Sequence, residues 1–427
     1  MEEIIEDLFS VYISCINSYE ARFHQVLNNR YTLVDKGMLT AYLYIKIIED
    51  NKMKNNDATN SLLNYLLKQN IYSETGNISL EVPNDKLKLY NEILENLILE
   101  KFNYKNRIMK KLKYEYKILE YNQYSELLSF LENIAEYVIL GKMLTENNTQ
   151  AQHLFENKRN TIIKSRNFLD ETDSFCDVKK HIINLISENK FNESDYGQLM
   201  FVALSIKDVY RFSSTGIISK QENVLFHSFT VTIISILLAE YCNKELHENI
   251  DIYKIIVISL LHDFTEFKGT EIIAHFKNYN DITKKMFSEI ESSDKNDLIE
   301  KIGSKLGDYL DMIKTTKEGY ISELIDKLAP IMRTWFEIGY IHNYTFVGLS
   351  HAIYQDRLKR FLRVKEIDDL KNKAFFLDLL RECYIYTKEH LIEADTVYTL
   401  KYYTNDELNE FREEIKLLKN NPETFLM

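Results

Sequence analysis

Residues 253–271 read YKIIVISLLHDFTEFKGTE, in which an apolar segment is followed by a polar one. Its first nine residues are mainly apolar, which predicts a buried helix, and the polar pair His262-Asp263 follows directly. Glu266 stands three residues after Asp263 and four after His262, so a continuing helix places all three on one face. An imidazole and a carboxylate at the end of a buried helix are metal-ligand side chains in a place where apolar residues are expected.

Two more apolar segments each carry one polar side chain of the same type. His227 lies in ENVLFHSFTVTIISILLAEY (222–241), and Asp326 lies in ISELIDKLAPIMRTW (321–335). Taken singly, a histidine or aspartate in such a helix is more often a structural residue than a ligand. Together with His262-Asp263 they form a complete set of nitrogen and oxygen ligands for one divalent metal, and this combination favours a metal site.

The order of these residues resembles that of the HD-domain superfamily of metal-dependent phosphohydrolases. Within it, the segments RFSSTGIISKQENVLFHSF (211–229), LLHDFTEFKGTEI (260–272) and ISELIDKLAPI (321–331) are most similar to the bacterial HD-domain 5'-deoxynucleotidases. The similarity covers roughly residues 205–345, about a third of the chain, and it lies in the order and spacing of the motifs.

The resemblance implies a role for each motif residue. The implied metal ligands are His227, His262, Asp263 and Asp326. Glu266 is the implied catalytic carboxylate, and Arg211 and Phe212 are the implied phosphate and nucleotide contacts. A mixed set of nitrogen and oxygen ligands is compatible with Mn²⁺, Co²⁺, Mg²⁺ or Fe²⁺ and does not indicate which of them is bound. The expected reaction is hydrolysis of a nucleoside 5'-monophosphate to nucleoside and phosphate.

Three positions depart from the family pattern. Phe226 replaces the acid that usually precedes the first histidine, and Phe212 stands where tryptophan is usual. Thr270 stands where the relatives have an aspartate that helps to hold the sugar, so we assign it as a substrate contact and leave the sugar open. Alternatives also remain open: another nucleotide (a triphosphate, cyclic nucleotide or alarmone), a regulator that binds nucleotide without turnover, or a structural helical adaptor.

Composition sets the fold class and excludes some partners. The 427 residues include only 11 Gly and 3 Pro, which predicts an all-α protein, an HD-domain bundle long enough for two domains. The net charge of −12 argues against a nucleic-acid surface.

The four cysteines lack metal or redox spacing and indicate reduced core thiols of a cytoplasmic protein. No membrane span is expected. The oligomeric state stays open, with a homodimer among the options.

The N-terminal half carries a weak internal repeat of the metal-site helices. Residues 29–50, 61–78 and 128–144 can be laid over the three motif helices. In that overlay the four ligands fall on Asp35, Lys68, Gln69 and Glu136. The interpretation is two tandem HD-like bundles, with a degenerate one without metal ligands in residues 1–180. Residues 181–427 then form the phosphohydrolase domain with a C-terminal helical extension.

Overall fold

The computed structural model describes residues 2–19, 31–72, 122–211, 222–268, 280–337, 370–397 and 404–420. Within these ranges every regular element is a helix, apart from an isolated antiparallel bridge between Tyr210 and Asn223. The predicted all-α class is confirmed.

Fourteen α-helices lie in the described ranges. They are α1 (Glu2–Tyr19), α2 (Leu33–Asp50), α3 (Asn56–Tyr72), α4 (Gln123–Thr145), α5 (Ala151–Ser165), α6 (Cys176–Ser187), α7 (Asp195–Lys207), α8 (Val224–Glu245), α9 (Ile252–Leu261), α10 (Asp281–Ile302), α11 (Ser304–Met312), α12 (Lys317–Trp335), α13 (Lys373–Val397) and α14 (Asn405–Asn420). Three short 3₁₀-helices accompany them at Arg166–Phe168, Phe191–Glu193 and Phe264–Lys268.

Helix α8 is the central helix of the motif region. Asn223 caps its N-terminus by accepting a hydrogen bond from the amide of Phe226, and every residue from Val224 to Ala239 is buried. Among the described helices, α8 is the one that is long and apolar enough to cross a membrane, yet 89% of its most apolar window is buried by the rest of the protein. Its apolar composition is explained by this central position in the core.

Helices α9 and α12 pack against α8 and against each other. Asp251 caps α9 by accepting from the amide of Lys254, and Thr316 caps α12 by accepting from the amide of Gly319. The hydroxyls of Ser259 and Ser322 are 2.9 Å apart and join the two helices inside the core. The three helices that carry the predicted ligands therefore form one packed unit.

In the N-terminal half, α2, α3 and α4 make the same three pairwise contacts that α8, α9 and α12 make. The helix caps give a register for comparing them. His227 is the fourth residue after the cap Asn223, as Lys36 is after the cap Thr32. Asp326 is the tenth residue after its cap, as Glu132 is after Asn122. The duplication stays a prediction. Alignment on the caps differs from the overlay made from the sequence by one residue in α2, where Lys36 replaces Asp35, and by four in α4, where Glu132 replaces Glu136.

When the helices are aligned on their N-caps, an ion pair occupies the positions that correspond to His227 and Asp326, the first and last predicted ligands. The Lys36 ammonium lies 3.6 Å from Glu132, which also accepts a hydrogen bond of 2.9 Å from the Tyr65 hydroxyl. The residues of the original overlay make other contacts. Asp35 is fully buried and pairs with Lys207 at 2.8 Å, and Glu136 pairs with Lys158 at 2.9 Å.

The two halves share one continuous apolar core in the described residues. The Asp35–Lys207 pair joins α2 to α7, and the Tyr42 hydroxyl of α2 donates to the carbonyl oxygen of Leu260 in α9 at 3.0 Å. The division of the chain at residue 180 stays a prediction, and residues on both sides of it pack together. All four cysteines are buried and free, as expected.

Candidate metal centre

The chain leaves helix α9 immediately before the His262-Asp263 pair. Helix α9 ends at Leu261, the pair forms a turn, and Glu266 follows in the 3₁₀-helix Phe264–Lys268. The sequence predicted one continuous helix face for these residues, and that detail was wrong. Adjacent residues on a helix point about 100° apart. The turn instead lets the side chains of His262 and Asp263 reach the same point.

The four predicted ligands converge. One ligand atom from each of His227, His262, Asp263 and Asp326 lies within 4.8 Å of all the others. His227 Nε2 is 3.0 Å from Asp326 Oδ1, and His262 Nε2 is 3.2 Å from Asp263 Oδ2. Ligand atoms about 3 Å apart suit an ion bound at roughly 2.1 Å from each of them. The donor set therefore has the size and the chemistry that a divalent cation needs.

Each histidine uses its other ring nitrogen to hold the ring in place. His227 Nδ1 is 2.9 Å from Glu222 Oε1, and His262 Nδ1 is 2.7 Å from the carbonyl oxygen of Ser259. Both partners are acceptors, so each Nδ1 can keep its proton when the lone pair of Nε2 binds a cation. His262 Nε2 is buried without a hydrogen-bond partner in the described part of the chain. A cation at the centre would satisfy this atom.

Both aspartates are held in their charged form. Burial acts to raise the pKa of Asp263, but His262 and Arg211 outweigh it and lower that pKa. Burial has the same effect on Asp326, and there Lys327 and the two histidines hold the pKa well below its usual range. The site therefore offers two carboxylates at neutral pH, which is the state that binds a metal.

Arg211 lies across these two carboxylates. Its Nη1 is 2.8 Å from Asp263 Oδ2, and its Nη2 is 3.9 Å from Asp326 Oδ1. Burial acts to lower the pKa of Arg211, but the surrounding carboxylates, Asp263 first, raise it above its usual value. The Arg211 amide donates to the carbonyl oxygen of Glu222 at 2.8 Å, which ties the residue to the start of α8. A planar, permanently charged guanidinium thus stands at the centre.

Glu266 lies beside the same group. Its amide donates to the carbonyl oxygen of Asp263 at 3.0 Å, and its carboxylate is among the charges that raise the pKa of Arg211. The structure thus brings together Arg211, Glu266 and the four ligand residues. The two other predicted substrate contacts, Phe212 and Thr270, lie outside the described residues.

The segment that carries these motifs is similar to a known protein family. Residues 198–377 match the YfbR-like 5'-deoxynucleotidase family. The resemblance expected from the sequence is confirmed over this segment, which contains all six of the residues just described.

A curated relative agrees with this match. The chain is 27% identical over 187 residues to the 4'-phosphooxetanocin A phosphatase of Priestia megaterium, an alignment that covers 42% of this chain and 94% of the relative. The YfbR-like match and this phosphatase support a nucleotide phosphohydrolase. They leave α1 to α6 outside the matched family segment, because that segment begins at residue 198.

One residue at the centre was missed in the sequence interpretation. Glu222 contacts His227, a contact that the motif pattern did not predict. The signal that could have found it is its place two residues before the first turn of α8, close to the ligand in sequence. A carboxylate there can reach the far side of the His227 ring, because metal-bound histidines usually donate their second ring N–H to an acceptor.

Proposed function

We propose that this protein is a divalent-metal-dependent phosphohydrolase that releases phosphate from nucleoside 5'-monophosphates. The observation that carries the proposal is the convergence of His227, His262, Asp263 and Asp326 on one point, with Arg211 beside them. The YfbR-like match supports the nucleotide class of the substrate. A structural adaptor would not require buried, charged groups of this kind in its core.

The mechanism assigns the cation to the four ligand residues. A bound divalent ion supplies Lewis acidity toward the phosphate and lowers the pKa of water at the site. Two imidazole nitrogens and two carboxylate oxygens leave positions open for ligands other than the protein on an ion that takes six. Mn²⁺, Co²⁺, Mg²⁺ and Fe²⁺ all fit this donor set.

Arg211 binds the phosphoryl group in this proposal. Its guanidinium already lies 2.8 Å from Asp263, so substrate binding exchanges a carboxylate partner for a phosphate oxygen. The planar fork can donate two parallel hydrogen bonds to one phosphoryl group and offset its charge. Phe212 and Thr270 are proposed as further substrate contacts, at the base and the sugar.

Glu266 acts as the proton acceptor or donor of the reaction in this proposal. As the P–O bond breaks, the attacking water loses a proton and the leaving 5'-oxygen gains one, so the two transfers balance; Glu266 accepts the first proton or donates the second. Glu266 suits either task because it lies beside Arg211 without belonging to the converging ligand set. The products are a nucleoside and inorganic phosphate.

A nucleotide panel tests this function. We expect phosphate release from deoxy- or ribonucleoside 5'-monophosphates when the purified full chain is supplied with Mn²⁺, Co²⁺ or Mg²⁺. Little release is expected from triphosphates, from 3',5'-cyclic nucleotides or after chelation. Faster turnover of a triphosphate, a cyclic nucleotide or an alarmone would move the substrate to that class. Nucleotide binding without turnover under any metal would contradict an enzyme.

A further inference from the structure

The Glu222 carboxylate bridges the metal centre and a buried cation. Its Oε1 is 2.9 Å from His227 Nδ1, and its Oε2 is 3.6 Å from Arg333 Nη1. Glu222 is only 3% exposed and Arg333 only 1%. Neither side chain can exchange its partner for water, so the contacts between them fix where the carboxylate stands.

Charge compensation explains why a carboxylate can be buried at this point. One oxygen of the Glu222 carboxylate faces the His227 ring and the other faces the Arg333 guanidinium, so both oxygens have a partner. Arg333 is in turn paired with the buried Glu337 at 3.0 Å. A buried carboxylate without such partners would take up a proton and lose much of its strength as an acceptor.

Helix α12 sets the distance between Arg333 and the centre. Arg333 follows the ligand Asp326 by seven residues, which is nearly two turns, so both residues lie on the same face of the helix. The same helix therefore carries the proposed ligand Asp326 and Arg333, the counter-ion of the carboxylate that contacts His227. This arrangement fixes His227 relative to Asp326, which lie 3.0 Å apart.

Helix α1 adds a contact from the N-terminal half. The hydroxyl of Tyr12, a residue that is only 1% exposed, donates to Glu222 Oε2 at 3.5 Å. Helix α1 packs against α8 and α12 and lies outside the segment that matches the YfbR-like family. Among the described residues of the first half, Tyr12 is thus the one that contacts the carboxylate beside His227.

We propose that Glu222 is the positioning residue of His227, and that Arg333 and Tyr12 hold it in place. In this role Glu222 accepts a hydrogen bond from the Nδ1–H of His227, so that Nε2 is fixed as the ligand atom. The N-terminal half then contributes directly to metal affinity, in addition to its share of the core. The inference rests on the metal site of the proposed function.

Metal affinity of three full-length variants tests this. Glu222→Gln keeps the size of the side chain and removes its charge, and Tyr12→Phe removes only the hydroxyl. Tyr44→Phe is the matched control, because Tyr44 is a buried tyrosine of the same half whose hydroxyl donates to the carbonyl oxygen of Ala58. Co²⁺ affinity would be measured by chelator competition, together with the visible absorption of the bound Co²⁺ and the unfolding of the metal-free proteins.

We expect Glu222→Gln to weaken Co²⁺ binding by about 10- to 100-fold and to change the visible spectrum. Tyr12→Phe should weaken binding by about two- to fivefold, as expected for a single long hydrogen bond to a charged acceptor. Tyr44→Phe should leave both unchanged. Wild-type affinity and spectrum in Glu222→Gln would overturn the proposal while leaving the proposed function intact. Absence of Co²⁺ binding in the wild-type protein would overturn both.

A measurement on the unmodified protein covers the case in which Glu222→Gln does not fold. Nitrogen-15 resonances of the imidazoles report which ring nitrogen carries the proton. We expect His227 to be protonated at Nδ1 in the metal-loaded protein. A His227 ring protonated at Nε2 would contradict the proposed contact with Glu222.

Discussion

Asp263→Asn is expected to lower the rate of phosphate release by more than about 100-fold, because removal of a direct ligand exceeds the cost of losing an outer contact. The substitution replaces a charged ligand oxygen that also pairs with Arg211 at 2.8 Å. Asparagine is a weak neutral ligand, so the site loses both affinity and charge balance. Turnover and metal content would be measured on the same preparation, with circular dichroism to confirm that the helices remain.

Asp173→Asn provides the matched control for this variant. Like Asp263, Asp173 is a largely buried aspartate in an ion pair; its partner is Lys179. Asp173 is not one of the four converging residues. It should keep wild-type metal content and turnover. Full activity in Asp263→Asn with metal present would refute the assignment of Asp263 as a ligand.

Glu266→Gln should separate metal binding from the chemical step. We expect kcat to fall by roughly 10²-fold, because a positioned proton donor or acceptor contributes at least this much. Metal affinity and nucleotide binding should stay near wild type, since Glu266 is outside the group of four converging ligands. Steady-state kinetics and Co²⁺ titration of the same protein distinguish the two effects.

The control for this prediction is Glu240→Gln. Glu240 is a partly buried glutamate of α8 that pairs with Lys244 at 3.7 Å. Its substitution should change neither kcat nor metal affinity. A collapse of metal affinity in Glu266→Gln would make Glu266 a ligand and would contradict its role in proton transfer.

The convergence of His227, His262, Asp263 and Asp326 was predictable because these residues break strong patterns. An imidazole and carboxylates in otherwise apolar helices are conspicuous, and their order along the chain is shared with a known family. The turn after Leu261 was not predictable, because hydrophobic periodicity shows which residues face the core and does not show where a helix ends. The contact of Glu222 with His227 could have been suspected from its place in the sequence, but its contact with Arg333 could not, since these two residues are more than a hundred positions apart.

The comparison of the two halves shows the same limit. Apolar periodicity can place one helix over another with a shift, and here it placed Asp35 opposite His227. The N-caps, which depend on side-chain geometry, instead place Lys36 there and Glu132 opposite Asp326. The sequence also did not predict that the two halves share one apolar core, since composition alone does not show which apolar faces pack together.

Metal dependence can be measured by titrating metal-free protein with Mn²⁺ or Co²⁺ and recording phosphate release from the best nucleoside monophosphate. The first half has the Lys36 ammonium where a cation would bind, and like charges repel. We therefore expect activity to rise with added metal and to saturate at one equivalent per chain. Undiminished turnover in chelated protein, or saturation only at two equivalents, would contradict a single catalytic metal site.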